Sequence, residues 1–189
     1  MRKITAVLWA LALALAGAAL ADASDSKTFT VTVTAVESVQ IVASLTEIDF
    51  DNTTTADGYR VCANGARNQQ GVWIKPFCGV YPTINYSTNY SSNRQLLAKA
   101  TVSGASATPV IVRFKKQATY VPSGPGQGGV WAFTGEYVDL GSTDTPIVTN
   151  IGSGSHAIGP VIEIIFDTTN EKPSPGIYNV TLTVTITAQ

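Results

Sequence analysis

Residues 178–187 read YNVTLTVTIT, and this run decides the fold. Tyr178, Val180, Leu182, Val184 and Ile186 fall on one side of a two-residue period, and Asn179, Thr181, Thr183, Thr185 and Thr187 on the other. Successive side chains of a strand point to opposite faces, so this alternation describes a strand with one apolar and one solvated face. Threonine suits the solvated face because its branched β-carbon fits the pleat. The five apolar residues are the expected core of the last strand.

The same pattern stands near the other end. Residues 28–36 read TFTVTVTAV, with Phe29, Val31 and Val33 on one face and threonines on the other. Between these runs, short apolar-alternating stretches predict strands over 39–43, 59–63, 72–75, 82–87, 97–102, 110–115, 130–134, 146–151 and 161–166. Residues 93–100 have a helix-like composition, but Val102 and Pro109 beyond them favour a strand. Turn signals separate the strands: Asp57-Gly58, Asn64-Gly65, Ser103-Gly104, the run PSGPGQGG at 122–129, Gly152-Ser153-Gly154, and the stretch from Pro173 to Gly176. The PSGPGQGG run reads as a flexible surface loop leading into Trp131. Strands at this spacing imply an all-β chain, an immunoglobulin-like two-sheet β-sandwich of roughly eight to ten strands.

The first residues give an address. Arg2 and Lys3 precede an apolar run over 6–20, and Ala19-Leu20-Ala21 and Ala21-Asp22-Ala23 both fit the small-x-small pattern of a cleavage site. The run is shorter than the roughly 20 apolar residues a spanning helix needs. Residues 1–21 therefore read as a signal peptide cut after Ala21 or Ala23, 22–36 as an N-terminal strand, and 37–189 as the sandwich domain. The processed chain is expected to be extracytoplasmic and not integral to a membrane. Of the 12 basic residues, Arg2 and Lys3 leave with the leader, so ten remain against 13 acidic ones. With no basic cluster, nucleic acid is not an expected partner. At 44 % hydrophobic residues and 13 % charged, the chain has the material for a packed core and is not a disordered segment.

Cys62 and Cys78 are the only two cysteines. In an exported chain an even count predicts a disulfide. No catalytic set emerges. The single histidine, His156, lies in GSGSHAIG, read as a solvated loop; Ser153 and Ser155 are near, but no GxSxG elbow accompanies them. One histidine and two paired cysteines are too few for zinc. Asp49, Asp51, Asn52 and Asp57 are oxygen donors of the kind calcium takes. They lack the central Gly and terminal Glu of an EF-hand loop and read as a strand, LTEIDF, entering a polar loop. No cofactor, metal or enzymatic activity is expected. Asn52, Asn85, Asn89 and Asn179 stand in N-x-S/T sequons. Trp131, Tyr86 and Tyr90 are candidates for an aromatic rim that stacks on polysaccharide, which makes a carbohydrate-binding module the alternative function.

The general plan resembles exported bacterial fimbrial-type subunits and surface-matrix sandwiches: a signal peptide, an alternating N-terminal arm, two cysteines and a long alternating last strand. In chaperone–usher subunits a Gly precedes the last strand some fourteen residues from the end, and Gly176 holds that place here. Those subunits tend to carry Tyr at the penultimate position, where this chain has Ala188, and their cysteines stand further apart. The resemblance implies a structural or adhesive surface protein, a pilus or filament subunit whose partners are other copies of itself or related subunits. Assembly would then proceed by β-strand addition, with residues 28–36 donated to a neighbour and Phe29, Val31 and Val33 as the groove-filling anchors. An ordinary first strand, paired in its own sheet, is the other reading of the arm.

Overall fold

Alternating, β-branched sequence gives strands throughout, and the computed structural model describes residues 37–42, 50, 60–90, 93–104, 108–118 and 120–189. The signal peptide, the arm with Phe29, Val31 and Val33, and the carboxylates Asp49, Asp51 and Asp57 lie outside the described residues. Among the described residues the strands are β1 Glu37–Val42, β2 Arg60–Ala63, β3 Ala66–Arg67, β4 Trp73–Ile74, β5 Phe77–Val80, β6 Thr83–Thr88 and β7 Arg94–Ser103. They continue with β8 Val110–Lys115, β9 Val130–Trp131, β10 Tyr137–Leu140, β11 Thr145–Ile151, β12 Gly154–Ile158, β13 Val161–Phe166 and β14 Asn179–Ala188. None of the described residues forms a helix, and none could therefore cross a membrane as one.

One layer is organised by a long antiparallel ladder in two pieces. β5 pairs with β13, and β6 pairs with β12, in a single register: Val80 faces Ile162, and four residues on, Ile84 faces Ile158. That register sets Pro82 opposite Pro160. A proline has no N–H to give, so the ladder lapses at this point and the layer divides into two sheets, β1-β6-β12 and β10-β8-β13-β5-β2. Both prolines are buried. The other layer is β14-β7-β11-β9, and every strand pairing in both layers is antiparallel.

The inner faces meet in one core. Ile84 and Tyr86 of β6, Leu96 and Ala98 of β7, Phe114 of β8, Ile147, Val148 and Ile151 of β11, and Ile158 of β12 belong to it. Their alternation is the period of two made physical: 84, 86 and 88 point inward while 83, 85 and 87 are half-buried. Each large aliphatic side chain here contributes about 1.5–3 kcal/mol by leaving water. The result is an all-β, sandwich-like fold. Cys62 and Cys78 stand opposite one another on β2 and β5 and form the expected disulfide.

Two expectations require correction. His156 does not sit in a solvated loop. It is on β12, directly opposite Tyr86, with ring centroids 5.6 Å apart. The glycine and serine around it suggested a loop, but β6 supplies a ladder partner that overrides local preference. The PSGPGQGG run is not a free loop either. Gly126 N–H donates to Asn150 O (2.9 Å), Gly152 N–H to Gln127 O (2.7 Å), Gly128 N–H to Ser123 Oγ (2.7 Å), and Tyr86 Oη–H to Gly128 O (2.5 Å). Its glycines allow close backbone approach: a β-carbon on Gly152 would fall 2.1 Å from Gly126 O.

Candidate functional site

The last strand has its inner face where the sequence puts it, but not the burial. β14 pairs with β7 over its whole length, from Asn179 opposite Ser103 to Ala188 opposite Arg94. It is the end strand of its sheet, and no strand among the described residues pairs with its other edge. Val180, Leu182, Val184 and Ile186 pack against the core yet are only half-buried, whereas Leu96 and Ala98 on the neighbouring strand are fully buried. The apolar stripe even runs past the core: Val102, opposite Val180, is 43 % exposed. Tyr178, expected to belong to this face, lies just before the strand. Its hydroxyl donates to Ser174 O (2.7 Å) and its ring stands edge-on to Phe166.

β1 lies beside β14 without hydrogen-bonding to it. The Glu37 carboxylate meets the Arg94 guanidinium (2.6 Å), which pins the start of β1 to the start of β7. Arg94 also lies over the Tyr90 ring, 3.8 Å from its centroid. Along β1, Val39 packs on the core while Ile41 and Val42 are exposed. Two neighbouring edges thus present half-covered apolar side chains, and β14 adds a ten-residue edge whose outer side pairs with no strand among the described residues. An edge of this length is a template for another strand.

The aromatic candidates are dispersed rather than convergent. Tyr86, expected at a ligand rim, is 2 % exposed and belongs to the core. Burial pushes its phenol well above the ordinary tyrosine value of 10.0. Tyr90 lies under Arg94. Trp131, half-buried, lines a cleft of about 460 Å3 with Lys115, Gln117, Val121, Thr134 and Glu136. Its ring packs on Phe114 and Phe133, at centroid distances of 6.1 and 5.8 Å.

The serines near His156 do not join it. Ser155 pairs with Ser87 on the outer face of β12, while His156, one residue on, points inward with Tyr86. A period of two therefore separates the two side chains. On the outer face of the other sheet, Arg113 bridges Asp139 (2.8 Å) and stacks on Tyr137. Partial burial pulls its pKa down, but the hydrogen bond and charge of Asp139, with Tyr137 and Glu163, outweigh that and raise it. Val39 and Ile41 of the β1 edge were not singled out in the sequence, although the alternation in ESVQIV carries them.

No protein-family model matches the chain, and a search of curated proteins returns no match.

Proposed function

We propose that this chain is a non-enzymatic, secreted structural or adhesive subunit with an immunoglobulin-like sandwich, one that builds a surface filament or coat by strand donation. Residues 28–36 of one copy add to the outer edge of β14 in the next. The observation that carries this reading is β14 itself: ten residues long, paired on one side only among the described residues, with Val180, Leu182, Val184 and Ile186 half-covered. A strand laid along that edge satisfies its backbone groups and covers the apolar stripe. Phe29, Val31 and Val33 would contribute about 1.5–3 kcal/mol each on burial, and each added main-chain hydrogen bond about 1 kcal/mol. Part of this offsets the ordering of a free arm and the loss of translational freedom. The disulfide fits an oxidising, extracytoplasmic compartment.

The test is the double variant Phe29→Asp, Val31→Asp in the mature chain. Polymers visible by electron microscopy in the wild type should vanish, while circular dichroism and melting of each domain stay unchanged. Polymers that persist in the double variant would rule out the arm as donor.

A further inference from the structure

We propose that the cleft at Trp131 is a binding subsite for a neutral pyranose ring of a polysaccharide. This goes beyond strand donation and stands independently of it. Four observations carry it.

The aromatic platform is rigid. Trp131 pairs with Val148 on β11, and its ring is wedged against Phe114 and Phe133. A preorganised ring binds without further ordering cost. The indole N–H has no hydrogen-bond partner among the described residues, whereas that of Trp73 donates to Thr168 O (2.9 Å). One edge of the platform is thus available to an acceptor.

Polar groups converge on the same cleft. The Gln117 amide, the Thr134 hydroxyl and the Glu136 carboxylate line it, and among the described residues none of the three makes a side-chain hydrogen bond or ion pair. A sugar offers a C–H face to an aromatic ring and hydroxyls at its rim, which donate to carboxylates and exchange bonds with amides. A few placed polar groups around an apolar floor is the general form of a small-ligand site.

Charge selects within the class. The cleft contains two lysines, but neither is free. Lys115 Nζ holds Glu163 (3.2 Å), and Lys116 Nζ donates to Phe133 O (2.7 Å) with Thr134 O at 3.4 Å. Lys116 and Glu136 then carry opposite charges, neither held in an ion pair among the described residues, so the cleft has no net charge with which to attract sulfate, phosphate or uronate. The ligand is therefore a neutral sugar.

The experiment titrates the full mature chain with cellohexaose, xylohexaose, chitohexaose and mannohexaose, with a heparin oligosaccharide as the anionic probe. Heat and tryptophan emission are followed together. At least one neutral hexaose should shift the emission with a Kd below about 1 mM, and Trp131→Ala should weaken it at least tenfold. Because Trp131 also packs on Phe114, Thr134→Ala and Glu136→Gln serve as exposed-site variants; each should weaken binding several-fold with an unchanged melting temperature. Silence of every neutral hexaose up to about 10 mM, tenfold beyond that Kd, would overturn the proposal. So would binding of heparin alone, binding that survives Trp131→Ala, or an emission shift that follows only protein concentration, which would mark the cleft as a contact between copies.

Discussion

Replacing Gly152 by alanine tests whether the glycine-rich run is a packed element or a loose loop. A β-carbon at 152 would lie 2.1 Å from Gly126 O, 2.4 Å from Gly126 C and 3.1 Å from its Cα. The obstacle is backbone, so the 126 peptide must retreat by roughly 1 Å to reach an ordinary contact. That retreat strains or breaks Gly126 N–H to Asn150 O and Gly152 N–H to Gln127 O. Two such bonds amount to about 2 kcal/mol. The run also covers Ile151 and Val148, both 0 % exposed, and lifting it admits water to part of them, for about 1 kcal/mol more. The expected loss is about 3 kcal/mol, or a melting temperature lower by roughly 6–12 °C for a chain of this size. Two controls isolate the cause. Gly141 has nothing within 4 Å, so Gly141→Ala should be neutral or slightly stabilising. Gly126 has open space but a φ of +71°, so Gly126→Ala should cost about 1 kcal/mol from backbone strain alone. The assay is urea unfolding of the three variants beside the wild type. A Gly152→Ala protein within about 0.5 kcal/mol of wild type would refute the packing argument.

Tyr86→Phe should cost about 1 kcal/mol at neutral pH, because Gly128 O loses its buried donor. It should also change the alkaline limb of stability. The native phenol keeps its proton while the unfolded one releases it above 10.0, so the wild type loses stability as pH rises past 10, by up to about 1.4 kcal/mol per unit, and the Phe variant loses less; parallel alkaline limbs in urea melts would contradict this. Cys62→Ser with Cys78→Ser opens a bridge spanning 16 residues and should destabilise by about 3 kcal/mol in the chain-entropy model; an unchanged unfolding midpoint with and without reductant would contradict it. Leu182→Lys places a cation on the half-covered face of β14, where its stem can lie along the surface. It should cost only about 1 kcal/mol of domain stability yet prevent polymers, and polymers of wild-type length would contradict the role given to that edge.

The sequence carried the fold class because alternation survives any arrangement of the strands. Residues 110–115 and 161–166 read as strands to their observed ends, since their apolar residues are closely spaced and mostly β-branched. Phe77–Val80 and Gly154–Ile158 did not read as strands. Cysteine, glycine, serine and histidine give weak local signals, and these segments are strands because β13 and β6 lie beside them. Gly126 and Gly152 misled for a related reason: glycine serves both freedom and close approach, and only the facing backbone tells which. Tyr86 was legible in principle, being in phase with Ile84 and therefore inward. The half-burial of Leu182 and Val184 was not, because a strand's own residues do not say whether it ends a sheet.

The most direct test of strand donation is hydrogen exchange along β14 in the mature chain, measured across a concentration series with the mass followed by light scattering in the same samples. The account predicts that β14 amides not bonded to β7 exchange freely in the monomer, become protected as mass rises, and stay unprotected at every concentration in Phe29→Asp, Val31→Asp. Protection that is already complete in a monomer, or a mass that grows while those amides remain open, would contradict it.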